Sequence, residues 1–416
     1  MGRNANKCAR GQPTTIQLPT GLTLQEEAYP TVFVDIQGMD VGDKDSQERI
    51  NKAIYKALHI VHSNRVSGQT LLKVHVGEPK CFTRMRPEYV GSSVRFLQER
   101  GASGVVAGDT TVAYSGLRGH KQNPPGDTSC YLGLAQRHGW STDGAAGIPF
   151  VVLDRPCSAV SGGLEFSKRE ERTEVHDIHR FKDFFLAGGF AVADFIINHA
   201  HLTLHGLAGL AGCVKSIAMG CSALKGKLRM HQSLLPHFNS ELCVACGRCV
   251  ESCPEDALKL NDGDSCPVVY PELCIGCGEC EMVCVKGAVT LQEEEITDWQ
   301  LGKDTLPLRM ADYTMGLMNG RWEDTIHLLH MYSITERCDC LNIHQEPLLQ
   351  RDLGFLVSKN PFAIDQLAGR MLTDALVDEG NDLGELPLEA VNKTTAYVQE
   401  TYGLLCETLM EKVKCI

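Results

Sequence analysis

The sequence predicts an α/β protein, a core domain based on a parallel sheet with a small α+β module inserted late in the chain. Three observations carry this. Short apolar, β-branched runs alternate with helix-patterned segments from residue 31 onward, as in a parallel sheet covered on both faces. Residues 239 to 298 break that pattern with a doubled cysteine motif. A strand, a turn and a helix then return within 351 to 376. The expected organisation is a first core part at 1–238, an insert at 239–298 and a second core part at 299–416. Residues 1–28 are read as a polar, irregular arm.

The elements follow in order. "TVFVDI" (31–36) is the first strand. "SQERINKAIYKALHIV" (46–61) has apolar residues at helical spacing and Ser46 as its N-cap. "LLKVHVG" (71–77), "GVVAGD" (104–109), "IPFVVLD" (148–154) and "ADFIINH" (193–199) are further strands. "VGSSVRFLQERG" (90–101) is a helix closed by Gly101. Functional groups gather beyond the C-terminal ends of parallel strands, which is where Asp109, Asp154 and His199 fall. Aspartate at a strand end is also ordinary turn chemistry.

Composition narrows the function. The 416 residues suffice for two or three domains. With 43% apolar and 22% charged residues, the chain can fill an ordinary core. Its net charge of −12 is concentrated in 239–298, which holds thirteen acidic and three basic residues. No basic face for nucleic acid is visible. The acidic insert suits either docking to a basic redox partner or plain solvation. The N-terminus lacks the apolar stretch of a signal peptide. No run reaches the ~18 consecutive apolar residues of a membrane helix. "LAGGFAVADFIINHAHLTLHGLAGLAG" (186–212) is interrupted by Asp194 and three histidines. The nineteen cysteines are therefore read as reduced thiols and metal ligands of a cytoplasmic protein.

The insert carries the most specific signal. "CVACGRCVESCP" (243–254) and "CIGCGECEMVC" (274–284) each read C-x-x-C-x-x-C-x-x-x-C, the pattern of a bacterial-type 2[4Fe-4S] ferredoxin domain. A cubane cluster needs four thiolates; each tight loop supplies three, and the fourth comes from the other motif. The first cluster is assigned to Cys243, Cys246, Cys249 and Cys284. The second is assigned to Cys274, Cys277, Cys280 and Cys253. Gly247, Gly276 and Gly278 let backbone N–H groups approach the sulfurs. Val285 stands where a proline usually follows the last cysteine. Zinc ribbons use paired C-x-x-C arms, not a repeated quadruple. Cys266 has no ligand slot and is read as a packed thiol. Two such clusters move single electrons and select no substrate.

Three weaker constellations remain. "HAHLTLHGLAGLAGCVKSIAMGCSALKGKLRMH" (199–231) gathers His201, His205, His231, Lys215, Lys225, Lys227 and Cys221 among glycines. Glycines let backbone approach a ligand, lysines neutralise an anion, and a thiolate beside lysines is reactive. The same stretch also reads as a glycine-rich core crossing with solvated lysines and an inert thiol. Cys338-Asp339-Cys340, with His327, His330 and His344 nearby, suits an extra metal or a reduced vicinal pair in a turn. "HDIH" (176–179), beside "EERTEV", reads as a solvated surface. Walker A, G-x-G-x-x-G and H-E-x-x-H motifs are absent from the sequence.

Together these stretches resemble the iron–sulfur family known as domain of unknown function 362, over most of the chain. "KVHVGEPKCFTRMRPEYV" (73–90) and "DTTVAYSGLRGH" (109–120) are similar to its signature stretches. So are the histidine–glycine–lysine run before the insert, "CDC" (338–340) and "GFLVSKNPFAID" (354–365). The sequence departs from the family at Thr203, where a lysine is usual, at Leu210, where phenylalanine is usual, and at Asp154-Arg155, where Asp-Gly is usual. The resemblance implies a fold and signature positions and leaves the reaction open.

The reading is an oxygen-sensitive, ferredoxin-linked oxidoreductase. Its insert relays electrons to a small anionic substrate or cofactor held by the α/β domain. Lys215, Lys225 and Lys227 are assigned to anion binding, with Lys73, Tyr114 and Arg118 at the same mouth. Cys221 is the candidate nucleophile or ligand, and His201, His205 and His231 are candidate acid–base groups. A redox partner protein is expected. The alternatives are a non-enzymatic electron carrier, and a metallocofactor assembly factor using Cys338 and Cys340.

Overall fold

The computed structural model of the chain describes residues 15–17, 23–25, 29–112, 116–119, 127–157, 164–206, 208–231, 235–253, 256–270, 273–274, 279–291, 299–406 and 410–415. The apolar runs pair into one eight-stranded sheet. Its strands are β1 (Thr31–Asp35), β2 (Thr70–Lys73), β3 (Val105–Asp109), β4 (Phe150–Val152), β5 (Phe195–His201), β6 (Thr325–Met331), β7 (Gly354–Ser358) and β8 (Met410–Lys414). They lie in the order β8-β1-β7-β6-β5-β2-β3-β4. β7 is antiparallel to both neighbours and every other pair is parallel. The expected parallel sheet is therefore a mixed one with a single reversed strand. No crossover helix lies between β6 and β7, so the chain re-enters from the end at which it left, and that forces an antiparallel pair.

Alternation along the strands divides the core. Leu72, Ile197, Leu328 and Val357 face one side, packed with Ile54 and Leu58 of α1 (Lys44–Val61) and Phe96 of α2 (Gly91–Arg100). Leu71, Val106 and Ile196 face the other side. On α1, Ile50, Ala53, Ile54, Ala57, Leu58 and Val61 are buried at helical spacing. Each large aliphatic among them contributes about 1.5–3 kcal/mol by burial. The α1 cap is Asp43, not Ser46: its carboxylate accepts the Ser46 N–H at 2.9 Å. The acidic side chain three residues upstream takes the orphan donor first. Gly101 closes α2 in the left-handed conformation, φ 105°, as the sequence predicts.

The other face is covered by α4 (Cys213–Ala218), α5 (Leu224–Met230), α6 (Trp299–Met318), α7 (Pro361–Asp378) and α8 (Leu386–Tyr402), whereas Tyr131 and Leu134 of α3 (Ser129–Arg137) pack beside β4 on the first face. Asp365 of α7 accepts the Cys213 and Val214 N–H groups at 2.7 and 2.9 Å. That contact pins the start of α4 from a distant part of the chain. Within the expected irregular arm, Thr15–Gln17 and Thr23–Gln25 form a small antiparallel pair. His176 and Asp177 lie in a turn joining strands Glu170–Glu174 and Asp183–Ala187.

From 235 to 291 the chain leaves the sheet. Pro236–Phe238 pairs with Val289–Leu291, and Leu258–Lys259 pairs with Val268–Val269, both antiparallel. Two four-residue helices, Arg248–Glu251 and Glu279–Met282, complete an α+β unit. Among the described residues no helix is long and apolar enough to cross a membrane.

β2 and β5 are neighbours whose chains leave in opposite directions, β2 toward β3 and β5 toward β6. Such a switch point opens a crevice at the C-terminal strand ends.

Candidate functional site

That crevice is a cavity of about 320 Å³. Its floor is a buried ion network at the ends of β2 and β3. Asp109 lies 3.3 Å from Lys73 Nζ and accepts from Arg118 Nη2 at 2.9 Å and from the Tyr131 hydroxyl at 2.7 Å. Burial alone would raise the Asp109 pKa, but Lys73 and Arg118 reverse this and hold the carboxyl well below the usual range. Arg118 also reaches Glu78 Oε1 at 3.5 Å.

His201 ends β5. Its Nδ1 is 2.7 Å from Asp339 Oδ2, and its Nε2 donates to the Tyr332 carbonyl at 2.7 Å. Burial opposes the imidazolium, yet Asp339 and the carbonyl favour it, and the His201 pKa stands above its ordinary value. Burial, with Lys215 beside them, pushes His205 and His231 down to about 3 and about 4. His201 is thus poised as a cation, and the other two as neutral imidazoles.

Lys215, on α4, donates to Cys338 Sγ at 2.9 Å and lies 4.0 Å from Cys340 Sγ. His75 Nε2 lies 3.2 Å from Cys340 Sγ and 3.2 Å from Arg118 Nη1. The neighbouring Cys338 thiol, then Lys215 and His75, hold the Cys340 pKa well below the ordinary thiol value, while Cys340 and burial raise the Cys338 pKa well above it. Lys227, on α5, donates to Thr110 Oγ1 at 2.9 Å and to the Ser222 carbonyl at 2.7 Å. Burial lowers its pKa to about 8, against the pull of Asp154 and Asp109. Four cationic side chains, Lys73, Arg118, Lys215 and Lys227, face two carboxylates, Asp109 and Asp339, around the cavity.

The fold thus brings Lys73, Arg118, Lys215, Lys227, His201, His205, His231, Cys338 and Cys340 to one wall system. It does not bring Cys221 or Lys225. Cys221 is fully buried in the core, its Sγ 3.8 Å from the Ser216 carbonyl. Burial pushes that thiol up to about 12 despite nearby Lys73 and Lys227, so the expected reactive thiol meets the opposite environment. Lys225 lies over the Phe185 ring at 4.7 Å. Tyr114 lies outside the described residues. His199 and His330 pair inside the sheet at 2.9 Å, and His327 meets Asn198 there. His344 is exposed beside Glu346. Thr203, where the family resemblance places a lysine, is buried and lines the cavity.

His75 and Asp339 are site residues that residue type alone does not single out; His75 stands in "KVHVG" and Asp339 between Cys338 and Cys340. Gly220 matters here: a Cβ at this position would lie 2.3 Å from the Ser216 carbonyl oxygen and 2.8 Å from Lys73 Nζ. Gly220→Ala is expected to displace Lys73 from Asp109 and to cost about 1–3 kcal/mol, read as a lower denaturation midpoint.

In the α+β unit, Cys243, Cys246, Cys249 and Cys284 line one small cavity of about 20 Å³. Cys249, Cys280, Cys253 and Cys284 share its minute apolar core. Backbone N–H groups of Ala245, Ala257 and Ala288 donate to the sulfurs of Cys243, Cys253 and Cys284 at 3.4, 3.2 and 3.2 Å. Cys277 lies outside the described residues. Among the described residues, no three His, Cys, Asp or Glu side chains converge as ligands of a single metal ion, and no disulfide joins the described cysteines.

The family model of the domain of unknown function DUF362 matches residues 70–370. No curated protein matches the chain. Among solved structures, the lactate racemase apoprotein of Thermoanaerobacterium thermosaccharolyticum is similar at 11% identity and a TM-score of 0.31, over 76% of this chain and 54% of that one. A Thermotoga maritima protein is similar at 10% identity and a TM-score of 0.33, over 84% and 59%. The chain thus spans between half and three-fifths of the length of these two structures.

Proposed function

The chain belongs to the DUF362 family, and from that premise and the cavity at the switch point we propose a ferredoxin-linked oxidoreductase acting on a small anionic molecule. The observation that carries this is the convergence of Lys73, Arg118, Lys215 and Lys227 with three histidines on one cavity of about 320 Å³. That volume is at the small-ligand end of the usual range.

The cysteine set of the α+β unit fits iron–sulfur clusters. Four thiols of the two motifs share one small cavity, and backbone donors aimed at cysteine sulfurs favour the thiolate form. Cys243, Cys246, Cys249 and Cys284 would hold one [4Fe-4S] cluster, and Cys274, Cys277, Cys280 and Cys253 the other. When bound, such clusters supply or accept single electrons at low potential.

The cavity side chains would divide the remaining work. Lys215 and Lys227 bind and orient the anion from α4 and α5. His201, locked by Asp339 and the Tyr332 carbonyl, presents a positive edge where negative charge develops. His205 and His231, neutral near pH 7, are placed to accept or return a proton.

Affinity for a non-reducible probe, such as malonate or inorganic phosphate, tests this reading. Lys227 binds an anion as its ammonium. With its pKa near 8 in the free protein, affinity for malonate, which stays a dianion across this range, is expected to fall as pH rises through 8. Lys227→Met is expected to weaken binding about tenfold at pH 7 and to flatten that decline. Calorimetry showing no anion binding to the wild type at millimolar concentration would remove the reading.

A further inference from the structure

Cys338 and Cys340 occupy a more specific setting than two buried thiols require. The turn closed by Leu341 N–H to the Cys338 carbonyl at 3.0 Å folds the pair back on itself. The Cys340 N–H donates to Cys338 Sγ at 3.4 Å. Both residues line the cavity, with Cys338 buried and Cys340 half-buried. Asp339, between them, turns its carboxylate to His201 and to the Cys81 thiol, which donates at 3.2 Å. A negative charge is thus neutralised by His201 and does not compete with a thiolate. Each sulfur meets its own basic group: Lys215 at 2.9 Å from Cys338 and His75 at 3.2 Å from Cys340.

We propose that Cys338 and Cys340 form a redox-active dithiol that exchanges with a small anionic disulfide admitted to this cavity. A cationic neighbour stabilises the thiolate, the form that attacks disulfides; Lys215 stands 2.9 Å from Cys338 Sγ and 4.0 Å from Cys340 Sγ, and Cys340 is the more exposed of the two. Cys340 is the attacking sulfur. It bonds to one sulfur of R–S–S–R, the substrate S–S bond breaks, and RS⁻ leaves. Cys338 passes its proton to that leaving thiolate and attacks the Cys340 sulfur. The mixed disulfide breaks and a second RS⁻ leaves. One thiol, one thiolate and a Cys338–Cys340 disulfide result, and two electrons have moved from protein to substrate. The cationic wall selects anionic disulfides and stabilises the departing thiolates.

The inference does not rest on the insert holding its clusters, and its test separates the two. The anaerobically prepared, cluster-loaded protein is mixed with oxidised glutathione or with cystamine, a cationic disulfide of similar chemistry. Samples are quenched with an alkylating agent and the peptide spanning 338–340 is weighed. The wild type is expected to show an internal disulfide, formed at least tenfold faster with oxidised glutathione than with cystamine. Cys338→Ser is expected to stop at glutathione bound to Cys340. Lys215→Met is expected to shift the pH profile of Cys340 alkylation upward and slow it about tenfold at pH 7. Thiols that stay alkylatable at every disulfide concentration would overturn the proposal. So would equal rates with the two disulfides, or a tightly bound metal ion protecting both sulfurs. If exchange proceeds while malonate and phosphate fail to bind, the anion-substrate reading alone falls.

Discussion

Cys284→Ser is expected to halve the iron of the anaerobically prepared protein, from about eight to about four atoms per chain, and to do so by emptying the site of the other motif. Cys284 closes the second cysteine run in sequence. In space it lines the small cavity with Cys243, Cys246 and Cys249. Its Sγ accepts the Ala288 N–H at 3.2 Å, as the Cys253 sulfur accepts the Ala257 N–H at 3.2 Å. The two positions are related by the internal repeat, and on the proposed assignment each closes the set begun by the opposite loop. Double variants separate this exchange from a local arrangement. Cys284→Ser with Cys246→Ser should lose no more iron than either change alone, because both strike one cluster. Cys284→Ser with Cys280→Ser should lose nearly all of it. The opposite pattern, in iron and labile sulfide counts, would show that each motif holds its own four ligands.

Asp109→Asn should have the largest effect on folding. Asp109 is the anion between Lys73 and Arg118, at 3.3 and 2.9 Å, and all three side chains are at most 2% exposed. Removing its charge takes the shared anion from two buried cations, while Arg118 keeps Glu78 at 3.5 Å. Breaking a buried pair in this way costs about 3–5 kcal/mol, expected as a marked drop in the denaturant midpoint at unchanged slope. Adding Lys73→Met to Asp109→Asn should recover part of the loss, because the unpaired charge goes with it. The variant should also lose affinity for anions, since Lys73 is no longer held at the end of β2. A midpoint within about 0.5 kcal/mol of wild type would mean that water reaches the network and solvates it.

The strands up to β5 were legible because β-branched apolar runs end at Gly, Asp or His, and α1 and α2 because their apolar spacing is regular. The reversed β7 was not legible. Its residues, Gly354–Ser358, are as apolar as those of a parallel strand, and direction depends on the path of the preceding chain. Ser46 as a cap failed because Asp43 lies within reach of the same N–H. In the site, the lysines and histidines of 199–231 stood out by residue type, and their convergence follows from the switch point between β2 and β5. Cys221 stood out for the same reason and is a core thiol. Neighbouring basic residues in sequence do not place a sulfur on the cavity side of a helix-rich wall. Asp339 and His75 were hidden because their roles come from contacts with His201 and Cys340, more than 100 residues away in sequence.

The central claim is that the cysteine insert and the anion cavity serve one reaction. It is tested most directly by following the visible and paramagnetic signals of the reduced, anaerobic protein. Those signals are recorded while small carboxylates, phosphate esters and anionic disulfides are added one at a time. The expected result is reoxidation by at least one anion that binds the wild type, slowed at least tenfold in Lys215→Met with iron content unchanged. Signals that persist with every anion that binds, or that decay equally in wild type and Lys215→Met, would contradict it.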